Sequence, residues 1–150
     1  SGTYELRYRV LANGDRGVVQ FYFGDNKNFM QPTGIPVDLT IGCRHQSTGW
    51  EDDTEDMDYN AEVDKKMRNN GFMKGPEHYI AGLPGGTLTS RDDVNTLRRI
   101  MVRETMDPDK VYYIRFKSVL DDVNKEFYMD YIEFCAKEVY DNPETPEDIW

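Results

Sequence analysis

Sulfur and imidazole chemistry have little to work with in this chain. Among 150 residues there are two cysteines and two histidines. Cys43 and Cys135 form no Cys-x-x-Cys pair and no Cys/His cluster with ligand spacing, which argues against structural zinc. Either they pair with each other, since both lie near predicted strands, or they are buried free thiols acting as small hydrophobes. No Gly-x-Ser-x-Gly elbow is present, and neither cysteine has an evident histidine partner among His45 and His78. Carboxylates are so numerous, 28 Asp and Glu in all, that a pair at glycosidase spacing would arise by chance and carries no signal. The expectation is a protein that is not an enzyme.

Positive charge is also scarce. Eighteen Lys and Arg face the 28 acids, a formal charge of −10. Nucleic acid and anionic membrane surfaces both select a basic face, so neither is an expected partner. No run approaches the ~20 apolar residues that span a bilayer, so insertion of this domain into a membrane is not expected, and no signal-peptide pattern opens the chain. Ser1-Gly2 leads straight into a strand pattern at Thr3, and Trp150 has no polar tail behind it. These ends read as those of a single domain, 1–150, excised from a longer protein, with Ser1-Gly2 compatible with a cloning scar.

What is plentiful is aromatic surface: ten Tyr, seven Phe and two Trp, 13% of residues. Such side chains bring large contact area at low rotamer cost, in β cores and in binding faces alike. A chain of this length buries roughly 70% of its unfolded surface and needs no staple.

Strand signals fill both ends. From Thr3 to Leu11, Tyr4, Leu6, Tyr8 and Val10 alternate with Glu5, Arg7 and Arg9, the period of a half-buried strand. A turn at 12–17 and a β-branched, aromatic run from Val18 to Phe23 complete a predicted hairpin. Gly34 to Ile41 predicts a third strand with Ile35, Val37 and Leu39 on one face, placed at an edge or strand start by Pro36. Thr96 to Glu104 is regular again. Val111 to Leu120 places Tyr112, Ile114, Phe116 and Ser118 opposite Val111, Tyr113, Arg115 and Lys117. After a turn at 121–124, Glu126 to Ala136 places Phe127, Met129, Tyr131, Glu133 and Cys135 opposite Tyr128, Asp130, Ile132 and Phe134. Between Gly49 and Gly86 the pattern breaks into a long insertion, with one short helix predicted over Asn60–Asn69 and ending at Gly71. Long irregular stretches in compact domains are commonly functional or disordered, and the aromatic and basic residues here favour an ordered loop. About six strands without βαβ alternation predict an all-β, antiparallel β-sandwich or barrel.

Two segments carry a resemblance. The run from Gly2 to Val10, GTYELRYRV, resembles an opening strand of jelly-roll carbohydrate-binding modules and galactose-binding-like domains. The run from Glu126 to Phe134, EFYMDYIEF, resembles their closing strand. The stretch from Tyr112 to Tyr140 looks like modules attached to fasciclin-type surface proteins of gut Bacteroidetes. This likeness covers about a third of the chain. It implies a jelly-roll sandwich on a cell-surface lipoprotein that handles glycans, packed beside neighbouring domains of the same chain. The opening strand that precedes the Gly-Thr-Tyr motif in the family is missing here, and the 49–86 insertion has no counterpart in the compact modules. No binding residue is therefore transferred from the family.

The residues themselves nominate a site in the loop from Arg44 to Lys74. Trp50 offers an indole on which the apolar face of a pyranose stacks, and nearby acids and amides suit its hydroxyls. Asp52, Arg68 and Asn69 are the expected polar contacts, with Arg44, Tyr59 and Lys74 beside them. Arg44, His45, Arg68 and Lys74 would suit a uronic acid carboxylate, or they pair with neighbouring acids. The equal alternative for Trp50 is a plug that holds the loop on the sandwich. Asp56, Asp58 and Asn60 have alternate spacing for calcium oxygens, but Ala61 and Met67 stand where an EF-hand needs Gly and Glu. A solvated acidic loop is the default there, with no cofactor expected and calcium the alternative. Asp130 reads as a partly buried structural residue. The functional expectation is a non-catalytic glycan-binding module; the alternative is a structural or protein-interaction domain without a sugar ligand.

Overall fold

The computed structural model describes residues 1–10, 15–75, 77–79, 89–91, 98–119, 125–142 and 144. Its strands are β1 (Gly2–Val10), β2 (Val18–Gly24), β3 (Gln31–Pro32), β4 (Val37–Asp38), β5 (Phe72–Met73), β6 (Glu77–Tyr79), β7 (Thr89–Arg91), β8 (Arg98–Met106), β9 (Tyr113–Ser118) and β10 (Met129–Ala136). A 3-10 turn covers Gln46–Thr48, and the helices are α1 (Met57–Asn69) and α2 (Lys137–Tyr140). The chain is thus mostly β.

Two antiparallel sheets make the frame. The first runs β10-β1-β8-β5. In the second, β2 is central, with β9 along one edge and β3 and β4 end to end along the other. β6 and β7 form a separate hairpin. Tyr8 of β1 stacks on Phe21 of β2 across the gap, centroids 4.5 Å apart. Phe116 of β9 meets Phe21 edge-on at 5.2 Å. Val19 and Leu39 complete the buried centre, with Val37, Met101, Met129 and Ile132 packed around it. Burying each large side chain is worth roughly 1.5–3 kcal/mol.

The alternation over β9 holds: Tyr113, Arg115 and Lys117 are exposed, while Tyr112, Ile114 and Phe116 are half-buried. Met129 and Ile132, assigned to opposite faces by alternation, both reach the core. A bulge at Arg9/Val10 in the β1–β10 ladder shifts the register between them, and an extra residue inverts the facing of the residues beyond it.

The predicted β1–β2 hairpin does not form. The two strands lie in different sheets and face each other, as do β9 and β10. Alternation fixes which residues share a face, but it does not select the neighbouring strand. Residues 11–14 and 120–124, where turns are expected, lie outside the described residues. Of the third predicted strand, Gly34–Ile41, only the two-residue β4 forms, with β3 ahead of it; there Leu39 is buried, Val37 half-buried and Ile35 exposed, and Pro36 lies beside an edge strand as expected.

Nor is β1 half-buried. Its second face carries Glu5 and Arg7, 0% and 1% exposed. Their charges are neutralised in place. Arg7 bonds Glu5 at 2.8 Å and Glu133 at 3.1 Å, Arg103 bonds Glu5 at 2.9 Å, and Arg98 pairs with Glu133 at 3.3 Å. The Tyr140 ring of α2 lies 4.9 Å from the Arg103 guanidinium.

The long insertion is built around α1. The helix starts three residues before the expected Asn60, because Asp56 caps it: its Oδ1 accepts from the backbone of Asp58 and Tyr59 at 3.1 and 3.2 Å. It ends as expected at Gly71, whose N–H bonds the Arg68 carbonyl at 3.0 Å and whose φ is +81°. That left-handed conformation suits glycine just past a helix end. Val63 and Met67 pack on Cys43 and Phe72, with Ile41 and Trp50 alongside, as a second core. Both cysteines are buried thiols, not joined in a disulfide. Among the described residues no helix is long and apolar enough to cross a membrane.

Candidate functional site around Trp50

Trp50 is held by a short, heavily bonded loop. The hydroxyl of Thr48, a fully buried residue, donates to the Cys43 carbonyl at 2.5 Å and accepts from the Trp50 N–H at 3.1 Å. Gly49, with φ +80°, lies where a Cβ would meet Asn70 Nδ2 and Lys66 Cγ at 3.2 Å. Any other residue would be strained at this φ, and its Cβ would make those two side chains shift slightly. Below the loop, the buried Asn60 side chain accepts from Thr54 N and donates to Thr54 O, both at 2.8 Å. This tethers the acidic segment 51–56 to the helix.

Two cations lie close to the indole. Lys74, its side chain 1% exposed, places Nζ 4.8 Å from the ring centre. The same ammonium donates to the Glu51 carbonyl at 2.5 Å and to Asp53 Oδ1 at 2.7 Å. Arg44 is more than half exposed, with its guanidinium 5.8 Å from the ring centre. It grips Asp52 through two nitrogens, at 2.7 and 3.3 Å, and the Trp50 Nε1–H donates to the same carboxylate at 3.3 Å. These donors, Arg44 first and Trp50 second, hold the Asp52 carboxyl below the ordinary carboxylate range. Glu51 is lowered as well, first by the Tyr59 hydroxyl and then by Lys66; the same contact raises the Tyr59 phenol.

Of the residues nominated from sequence, Arg44, Trp50, Asp52 and Lys74 therefore meet directly, and Tyr59 joins through Glu51. Arg68 and Asn69 lie elsewhere. Arg68 Nη1 donates to the Tyr140 carbonyl at 3.2 Å, tying α1 to α2, and Asn69 is exposed at the end of α1. His45 caps the 3-10 turn, its side chain accepting from Ser47 N at 3.2 Å. Glu51, Asp53 and Lys66 belong to the cluster although no sequence pattern marks them as sugar contacts. In a chain this acidic, no local pattern distinguishes an acid that holds a lysine from one that is merely solvated.

Asp56 and Asp58, two of the residues with calcium-like spacing, serve the start of α1, and Asn60 holds Thr54. Among the described residues no group of three or more His, Cys, Asp or Glu is placed to hold a metal ion. Asp130, expected to be partly buried, is 65% exposed at its side chain and pairs with Arg9 at 3.6 Å. It is the extra residue of the β1–β10 bulge, skipped between the Arg9–Tyr131 and Val10–Met129 pairs, and so does not share the inward face of Ile132. A separate cavity of about 370 Å³ lies at the far ends of β1 and β8, lined by Tyr4, Met106, Asp107, Lys110, Tyr112 and Phe134.

The groups gathered around Trp50 offer a stacking surface, cations and carboxylates. A half-buried aromatic ring is bordered by a cation–carboxylate fork, and the carboxylates are held ionised by their donors. Comparison of the chain with protein-family models, curated proteins and solved structures finds no match.

Proposed function

We propose that the protein is a non-catalytic carbohydrate-binding module, with Trp50 as its stacking platform. The observation that supports this most is the junction of Trp50 with the exposed Arg44–Asp52 fork. A sugar ring would lie on the exposed part of the indole. Its hydroxyls would be taken by Asp52 oxygens as acceptors and by Arg44 as donor, the division of labour that polyol recognition needs. Lys74 supports the platform from beneath, because its ammonium is held by Glu51 and Asp53. A jelly-roll connection of the strands, and a place on the surface lipoproteins of glycan-utilising bacteria, belong to the same proposal. They rest on the likeness of β1 and β10 to the framing strands of such modules.

Titration of soluble glycans from a screened array, with and without calcium, tests the reading. Expected is saturable binding to one glycan class that Trp50→Ala weakens at least about tenfold, since aromatic contacts dominate such small interfaces. Folded protein that binds no glycan would sink the proposal and transfer the weight to a protein-interaction domain. Binding unaffected by Trp50→Ala would move the site elsewhere.

A further inference from the structure

A second cavity, about 220 Å³, lies where the two sheets part. Phe21, Val37, Ile100 and Met101 line its depth, and the exposed Ile35 and Pro36 lie at its mouth. At about 30 Å³ per water in the liquid, the space equals roughly seven waters, enough for a small ring with one polar substituent. Two polar groups on its walls, one fully buried and one half-buried, have no hydrogen-bond partner among the described residues. Tyr8 is fully buried, and its hydroxyl has no hydrogen-bond partner. Arg99 stands opposite Tyr8 in the β1–β8 register, on the same face of the sheet.

The Arg99 guanidinium packs on the Phe72 ring at 3.8 Å, which leaves its N–H edge for other acceptors. Among the described residues it makes no hydrogen bond and no ion pair. Among the described residues the acid that acts on it electrostatically is Asp38, whose Oδ1 accepts from both the N–H and the hydroxyl of Thr40. Among the described residues no carboxylate lines the cavity. The other polar side chain there, Thr33, already donates to the Phe21 carbonyl at 3.3 Å. Burial lowers the Arg99 pKa and raises that of Tyr8, so the site holds one partly desolvated cation and one neutral phenol donor. Such groups cost stability until an acceptor reaches them.

We propose that this cavity binds a small monocarboxylate with an apolar body, its carboxylate forked on Arg99 and bonded by Tyr8, its body between Phe21, Val37 and Met101. A planar guanidinium matches a carboxylate bidentately. A single cation in an apolar chamber suits a monoanion better than a phosphate dianion. The site is separate from the Trp50 platform and does not depend on the sugar reading.

Benzoate is the probe, followed by amide chemical shifts in the intact protein. The expected result is saturable movement of Gly71, Ile100 and Met101 at millimolar benzoate, with little response to neutral benzamide or inorganic phosphate. Arg99→Met should weaken binding about tenfold or more, as loss of a charge-assisted bond does. Tyr8→Phe, which keeps the ring in place, should weaken it several-fold. Absence of saturable shifts at these amides, equal binding of benzamide, stronger binding of phosphate, or indifference to both substitutions in folded protein would each overturn the assignment.

Discussion

Glu5 and Arg7, two positions apart on one strand, are bonded side chain to side chain at 2.8 Å with almost no solvent contact. Their neighbours Arg103 and Glu133 extend the pair into a network across β8 and β10. Charge burial of this kind is tolerated only while every partner stays in place.

Removing one member should therefore be severe. Glu5→Ala leaves Arg7 buried beside a lost counter-ion and is expected to cost about 3–5 kcal/mol. The double variant Glu5→Leu/Arg7→Leu should cost clearly less than the sum of the two single changes. Urea unfolding of the four proteins measures the coupling, and strict additivity would contradict the network.

Tyr8→Phe should have the opposite sign. It deletes a buried hydroxyl without a partner, so unfolding free energy is expected to rise by about 1 kcal/mol. The raised phenol pKa makes a second prediction, with its sign fixed by linkage. Burial favours the protonated form. Its contribution is whole below the unfolded tyrosine value of about 10 and falls away as pH rises above it. Stability scanned from about pH 8 to 11, across that value, should fall less steeply in Tyr8→Phe than in the parent.

At the acid end the surface pairs act. Asp25, Glu51, Asp52 and Asp141 all have lowered pKa values, through bonds from Lys110, Tyr59, Arg44 and Lys137 respectively. A lowered folded pKa adds stability above the ordinary carboxylate range near ~4, and that stability is lost as pH falls through the folded values. These groups are exposed, so the loss should shrink in high salt. Melting temperature against pH at two salt concentrations, with Asp52→Asn as a comparator, provides the measurement. An identical profile at both concentrations would count against these pairs.

The start and end of α1 give a local test. Asp56→Ala removes the cap and should cost about 1 kcal/mol. Gly71→Ala places a Cβ in the left-handed region and should cost about 1–2 kcal/mol. Helical circular dichroism and urea midpoints should fall together. If glycan binding exists at Trp50, Asp56→Ala should leave it nearly unchanged, because Asn60 still tethers the loop.

The sequence was informative wherever the physics is local. Inward-facing Leu6 and Tyr8, the alternation of β9, the edge position of Pro36 and the helix stop at Gly71 all come from period, ring constraint or backbone freedom. What failed was everything that depends on distant chain. The partners of β1 lie near residues 100 and 135, and no turn signal reveals that the chain leaves for the other sheet. Alternation misplaces Asp130 because it is the extra residue of a bulge in the β1–β10 ladder, which local period does not announce. Around Trp50, proximity in sequence sufficed for Arg44, Asp52 and, through a turn of helix, Tyr59. It misled for Arg68, which helical rotation carries toward Tyr140. The Arg99 cavity had no local sign, since Tyr8 and Arg99 become neighbours only through sheet pairing.

The central place of β1 has a consequence for how the molecule assembles. Both its edges are filled by strands made much later, β8 and finally β10. During synthesis this segment emerges early with two open edges and must wait for nearly the whole remaining chain. Loop closures of that length are slow, and sandwiches dominated by them fold in milliseconds to seconds. Until β10 docks, a charged pair, Glu5 and Arg7, sits on the waiting strand in water. The same two residues that burden the finished fold with buried charge would keep its first strand soluble and discourage it from joining the wrong edge.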